Sequence, residues 1–329
     1  MKEMSMSPLA AVPASSDSAR SPRLVWVHGT ALLLAFFALL LIAFGGHVTT
    51  IDAGDTEPAW SLRFWDWFIS WSELDGGHFY EMTHRQLGTI VGFLAIFMVA
   101  LMWRFEPRAW VRRLGYAALA LIVVQGVLGG IRVLVVSDPS VQETAMQATG
   151  VASPFGVRVL FGMVHAALGL ILFAGLIAIT DITSARWSAS PLPVRAKAVR
   201  LLRGMLGWTI AALLVQVLLG AWLRHAGWQV GVIIIHAVGG LFVALFVLVI
   251  AVLAYGLGRE ATLIRKPAFV LAALVQVQIF MGIFSFALPD IVSVRTLHHI
   301  IGALLLALTV MLAFRAWSLV YPVAENENA

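Results

Sequence analysis

The chain contains no cysteine. That excludes disulfides, zinc–thiolate sites, iron–sulfur clusters and a thiol nucleophile, and it leaves any metal to His, Met or carboxylate ligands. Charge is also scarce. Only 12% of the 329 residues are Asp, Glu, Lys or Arg, against about 25% in an ordinary soluble domain. Hydrophobic residues reach 60%, where about 45–50% is usual. No soluble fold of this size hides so much apolar surface, so lipid is the solvent for most of it. The formal net charge of +5 does not indicate nucleic acid, because the basic residues sit in short loops between apolar runs and set topology there.

Those apolar runs lie near residues 24–44, 81–103, 114–136, 157–180, 203–223, 230–255, 267–288 and 297–320. Each is long enough to cross about 30 Å of hydrocarbon, and none alternates as a barrel strand does. The expected fold class is an all-α polytopic membrane protein with eight transmembrane helices. Sixteen of the 22 Lys and Arg fall on one side of these spans; Arg63, Arg85, Arg132, Arg158, Arg224 and Arg295 fall on the other. The positive-inside rule places the richer side, and both termini, in the cytoplasm of a cell (inner) membrane. Residues 1–23, polar and rich in Ser, Ala and Pro, read as a disordered cytoplasmic tail, because the run that follows is long for a cleaved signal. Residues 321–329 read as a second tail. The longest outer loop, about 45–80, carries several acids and Trp and reads as a small folded cap.

The spans repeat. The third contains Gln125-Gly126-Val127-Leu128-Gly129 and the seventh Gln278-Ile279-Phe280-Met281-Gly282. The fourth has His165 with Gly169 and the eighth His298 with Gly302; the second has His84 with Gly88 and the sixth His236 with Gly240. One four-helix unit is used twice. Four spans return the chain to its starting side, so the copies are expected to be related by a pseudo-twofold axis along the membrane normal. The expected boundaries are an N-terminal bundle 24–180, a cytoplasmic linker 181–202 and a C-terminal bundle 203–320. In each H-x-x-x-G the glycine lies one turn from the histidine on the same face, which gives a flat macrocycle room to approach the backbone.

His84, His165, His236 and His298 share one depth, about 5–12 Å inside the outer ends of their spans. Polar side chains within a span are costly and mark function. Paired imidazoles on facing helices, without cysteine or a carboxylate cluster, suit heme iron, and a four-helix core is a natural heme site. Zinc or copper calls for more ligands. Two tetrapyrrole sites are expected, with metal ligands His84 and His165 in one half and His236 and His298 in the other. His299, about 100° round the helix from His298, is the second choice. Arg85, Arg132, Arg158, Arg224 and Arg295 sit at helix ends near this layer, where heme propionates need cationic partners; Arg85 and Arg224 lead as cofactor-binding residues.

The halves differ in one respect. The second span opens Glu81-Met82-Thr83-His84-Arg85, whereas the sixth opens Ile233-Ile234-Ile235-His236-Ala237. A carboxylate beside a tetrapyrrole can hydrogen-bond, stabilise a developing cation or move protons. The N-terminal half therefore reads as a reaction site with Glu81, His84 and His165 as its catalytic set, and the C-terminal half as a bis-His electron relay. A di-heme cytochrome b-like quinol oxidoreductase is a competing reading, but it has no need of Glu-x-x-His-Arg in one half only. A transporter is a third, opposed by unbroken spans without mid-span acids.

The ordered set of Glu81-x-x-His84-Arg85, Gln125-Gly126-Val127-Leu128-Gly129-Gly130, Leu219-Gly220-Ala221-Trp222-Leu223-Arg224-His225 and the four histidines resembles the heme A synthase family over about residues 24–320. The resemblance implies oxidation of heme O to heme A, the methyl at ring position C8 becoming a formyl group by successive hydroxylations. It implies heme O as substrate between His84 and His165, with Glu81 assisting, and heme b as cofactor between His236 and His298. It also implies as partners the lipid bilayer, a heme O synthase and a heme–copper terminal oxidase with its assembly factors. Two family features are missing: the cysteine pair many members carry in the first outer loop, and the Arg of Gly-Gly-x-x-Arg, whose place Thr49 takes in Gly45-Gly46-His47-Val48-Thr49. His47 and His78 have no assigned counterpart.

Overall fold

The computed structural model describes residues 22–54, 56, 76–188, 192–318 and 320–323. Residues 1–21 of the tail expected at 1–23, most of the cap in the 45–80 loop, and the end of the second tail lie outside the described residues, and α1 takes up Pro22 and Arg23. Nine α-helices are described: α1 (Pro22–Thr50), α2 (Gly76–Phe105), α3 (Ala109–Ser137), α4 (Pro139–Thr149), α5 (Pro154–Ile182), α6 (Ala196–His225), α7 (Val230–Gly256), α8 (Thr262–Ala287) and α9 (Val292–Ser318). All except α4 are long and apolar enough to cross a membrane, which agrees with the eight spans expected.

The helices close into two four-membered rings. α1, α2, α3 and α5 pack in order around one, and α6, α7, α8 and α9 around the other. The rings meet through α1 and α5 on one side and α6 and α9 on the other, with reciprocal pairings: α1 on α9, α5 on α6, and α5 on α9. One apolar core runs through both rings and includes Leu34, Met98, Phe173, Leu206, Ile250 and Leu271. Lipid is as apolar as leucine, so close packing rather than hydrophobicity must hold such helices together. Small residues allow close approach on the helices that meet: α1 buries Ala31, Ala35 and Ala38, and α9 buries Ala303 and Ala307.

Several boundaries differ from expectation. α1 does not end before Gly45-Gly46 but continues to Thr50. The hydroxyls of Thr49 and Thr50 donate back to the Gly45 and Gly46 carbonyls at 2.9 and 2.8 Å, and the amides of Ile51, Ala53 and Asp52 satisfy the last-turn carbonyls of His47, Val48 and Thr49. α4 falls between the spans expected at 114–136 and 157–180. Asp138 caps it by accepting from the Ser140 and Val141 amides, Pro139 opens it, and Gly150 in the left-handed region closes it. The Ser140 hydroxyl and these amides hold the Asp138 carboxyl below the usual carboxylate range. The 181–202 segment is not a plain linker: α5 extends to Ile182, and β1 (Leu192–Arg195) pairs in parallel with β2 (Val320–Val323). β2 also takes up the start of the expected second tail. Arg203 braces this end by donating to the carbonyls of Ala316 and Val320.

At the same end, Asp181 and Arg315 are both buried. Arg315 donates to Asp181 Oδ2 from Nε at 2.8 Å and to Oδ1 from Nη2, and its Nη1 donates to the Leu263 carbonyl at 2.7 Å. This fork ties α5 to α9 and α8. Arg315, counted from sequence among topology-setting charges, is therefore a structural cation.

Candidate functional site

The opposite end of the rings carries the histidines. Within the first ring a cavity of about 500 Å³ is lined by Glu81, His84, Arg85, Arg132 and His165. Its size suits a cofactor-scale ligand, for which roughly 300–1,000 Å³ is usual. α2 presents Glu81 and Arg85 one turn apart on one face, and Arg85 Nη2 donates to Glu81 Oε1 at 2.6 Å. Glu81 is only 3% exposed, and its Oε2 accepts from Thr56 Oγ1 at 2.6 Å. The acid is thus fixed from two sides beside the cavity.

His84 Nδ1 lies 3.1 Å from the Leu41 carbonyl. That carbonyl can only accept, so the proton is on Nδ1 and Nε2 keeps its lone pair for a metal. The Nδ1 atoms of His165, His236 and His298 are buried without a hydrogen-bond partner among the described residues. A buried imidazole nitrogen left so is costly unless a ligand uses the ring.

In the second ring the His236 and His298 ring centres lie 6.2 Å apart. Imidazole nitrogen binds a first-row metal at about 2 Å, and the ring centre lies roughly 1 Å behind it, so two axial imidazoles on one iron have centres about 6 Å apart. The pair therefore fits a bis-His heme. His299 does not share this position. It faces the first ring, where its Cδ2 would stand 3.1 Å from a Cβ at Gly46, and it lines the 500 Å³ cavity. Among the described residues no three His, Asp or Glu group as a metal site.

Of the four repeated glycines, Gly88 and Gly240 have the open space expected, a Cβ there meeting only Leu41 Cδ1 at 4.0 Å or nothing within 4 Å, whereas the other two act differently. A Cβ on Gly169 or Gly302 would meet the amide of Gln125 or Gln278, at 2.9 and 3.3 Å, not a ligand. The glycines that face the histidine rings come from the preceding membrane-length helix: Gly45 for His84, Gly129 for His165, Gly220 for His236 and Gly282 for His298. The same set of contacts thus occurs in each ring, with matched residues.

The arginines separate. Arg132 lies against Gly54 and lines the cavity. Arg158 pairs with Asp52 at 2.9 Å, away from it. Arg295 stacks over Trp228, 5.1 Å from its ring centre. Arg224 belongs to the C-terminal half by sequence, yet it lines the N-terminal cavity together with His225, and its Nη2 donates to Thr50 Oγ1 at 2.9 Å. Neither this crossing nor the placement of His225 and His299 was visible in the sequence. The signal for it was the repeat itself, which sets Arg224 at the same step after Gly220 that Thr49 holds after Gly45. His47 packs on Tyr80, 4.1 Å between ring centres.

Residues 67–227 match the COX15-CtaA family, cytochrome oxidase assembly protein. This is the heme A synthase family that the sequence motifs resemble. The COX15-CtaA match takes in every cavity residue from Glu81 to His225 and stops before His236 and His298. No curated protein matches the chain.

Proposed function

We propose that the chain is a heme A synthase that oxidises the C8 methyl of heme O to a formyl group by successive hydroxylations. Heme O would be held as substrate between His84 and His165, and heme b as the electron-relaying cofactor between His236 and His298. The observation that carries this reading is the asymmetry between two otherwise matched rings: a fixed Glu81–Arg85 pair stands beside a large cavity in one, and a closed imidazole pair with isoleucine and alanine in the corresponding places stands in the other.

Each residue then has a definite task. His84, oriented by the Leu41 carbonyl, offers Nε2 to iron. Arg132 and Arg224 supply cations toward propionates. Glu81, held by Thr56 and Arg85, keeps a carboxylate on the cavity wall, where it could accept a proton from a bound substrate or stabilise positive charge without reorganisation. His236 and His298 would hold the cofactor iron, whose reversible one-electron change is the chemistry it would supply. Both termini would be cytoplasmic, the heme layer would lie toward the outer face, and a pseudo-twofold axis would relate the rings.

The test is extraction and mass analysis of heme after expression with a heme O synthase, beside an empty-vector control. Heme A or its hydroxymethyl precursor is the expected product. Bound heme b with unaltered heme O, in protein showing an intact bis-His spectrum, would favour a di-heme electron-transfer protein instead. In His236→Ala, loss of bound heme b is expected.

A further inference from the structure

The N-terminal cavity has a charged end and an apolar end. Glu81 and Arg224 line it near the histidines; Phe93 and Ile96 of α2 and Val123 of α3 line it further along. From Glu81 to Ile96 α2 rises about 22 Å, far enough to reach the middle of the bilayer. Phe93, Ile96 and Val123 border the cavity and yet remain 57%, 56% and 59% exposed. The wall between α2 and α3 is therefore open on the side that faces lipid.

Two glycines make this opening. Gly92 and Gly126 both line the cavity, and a Cβ on either would meet nothing within 4 Å. The second ring provides an internal comparison. Aligning His84 with His236 sets Ala244 against Gly92, and aligning Gln125 with Gln278 sets Ile279 against Gly126. Ala244 is buried and Ile279 packs on the apolar core, so the matching gap is filled. The two rings share their histidine scaffold and differ here in free volume.

We infer that the gap between α2 and α3 at Gly92 and Gly126 is the subsite for the prenyl tail of the substrate heme, open sideways to the bilayer. This rests on the heme O reading above. A prenylated porphyrin has carboxylates and a long apolar chain. The carboxylates need the arginine end of the cavity, and the chain is most stable where it never meets water. A path between α2 and α3 satisfies both, because the tail stays in hydrocarbon while the ring moves toward His84 and His165. The C-terminal heme b has no such tail, and its ring has no such gap.

The experiment uses the full chain in nanodiscs, purified with heme b in its C-terminal half, and titrated separately with heme O and with heme b, which lacks the tail. Gly126→Ile copies the residue of the second ring. It should weaken heme O binding at least about tenfold and leave heme b binding within twofold, with the C-terminal bis-His spectrum unchanged. Gly126→Ala, a smaller filling, should give an intermediate loss for heme O alone. Heme O binding that is unaffected, or a parallel loss for both hemes, would overturn the tail subsite. So would a wild-type protein that binds the two hemes equally well. A wild-type protein that takes up no second tetrapyrrole would instead remove the heme O reading, and the subsite with it.

Discussion

Arg224, in the last turn of α6, donates to Thr50 at the end of α1, 2.9 Å away, so a side chain from one ring closes the cavity of the other. Among the described residues Arg224 makes no ion pair. A half-buried guanidinium with a single neutral acceptor is held ready for an anion. Arg224→Gln should therefore weaken heme O binding about 10- to 100-fold and leave the C-terminal heme b in place. Thr50→Val, which removes only the orienting acceptor, should cost less. Titration of each variant with heme O and with its propionate dimethyl ester separates the effects: the ester should bind wild type and Arg224→Gln alike. Loss of heme b from Arg224→Gln would return this arginine to the C-terminal site.

The glycines behind the histidine rings should be unequal. A Cβ on Gly45 would stand 2.7 Å from His84 Cε1, closer than van der Waals contact allows, whereas one on Gly220 would stand 3.4 Å from His236 Cε1. Gly45→Ala must push the His84 ring from its bond with Leu41; Gly220→Ala need not move His236. The expected result is a disturbed N-terminal heme signal in Gly45→Ala and a normal bis-His spectrum in Gly220→Ala, read by low-temperature EPR of the two hemes.

Much of this site is legible in sequence because its parts recur. Eight long apolar runs are hard to mistake, and histidines repeated at one depth stand out against a chain with few polar residues. What the sequence hides is interaction across helices. Gly45 and Gly129 serve histidines on the membrane-length helix that follows, so spacing along one helix points instead to Gly88 and Gly169. Arg224, His225 and His299 reach the cavity of the other ring only because α5 and α1 pack on α9 and α6. α4 was signalled by Asp138-Pro139 ahead of it and Gly150 behind it, a cap pair that is easily lost between two apolar spans. The β1–β2 pairing joins residues more than a hundred positions apart and leaves no local trace.

Glu81 is placed to test the chemistry apart from the scaffold. Its carboxylate touches Thr56 and Arg85 and lines the cavity. Glu81→Gln keeps the shape and an acceptor while removing the charge and the basic site. It should bind both hemes and lose formyl-heme production by roughly 10²–10⁴-fold, the usual range for a positioned acid or base. Single-turnover heme analysis in protein of known heme content is the measurement. Unchanged output would remove Glu81 from the mechanism, and loss of heme O binding would make it a binding residue.

The Asp181–Arg315 fork makes a prediction about stability at the other end of the molecule. Both partners are buried, and Arg315 spends its donors on Asp181 and on the Leu263 carbonyl. Asp181→Ala leaves a buried guanidinium without its counter-charge, and breaking such a pair from one side costs about 3–5 kcal/mol. Replacing both partners by apolar residues removes the uncompensated charge as well. Asp181→Ala should thus lower the unfolding midpoint in detergent markedly, and Asp181→Leu with Arg315→Met should recover much of the loss. The rings meet through α5 and α9, so the single variant should also shift the C-terminal heme spectrum before global unfolding. A single variant with the wild-type midpoint, and a double variant below it, would mean that the hydrogen bond to Leu263, not the ion pair, holds this end together.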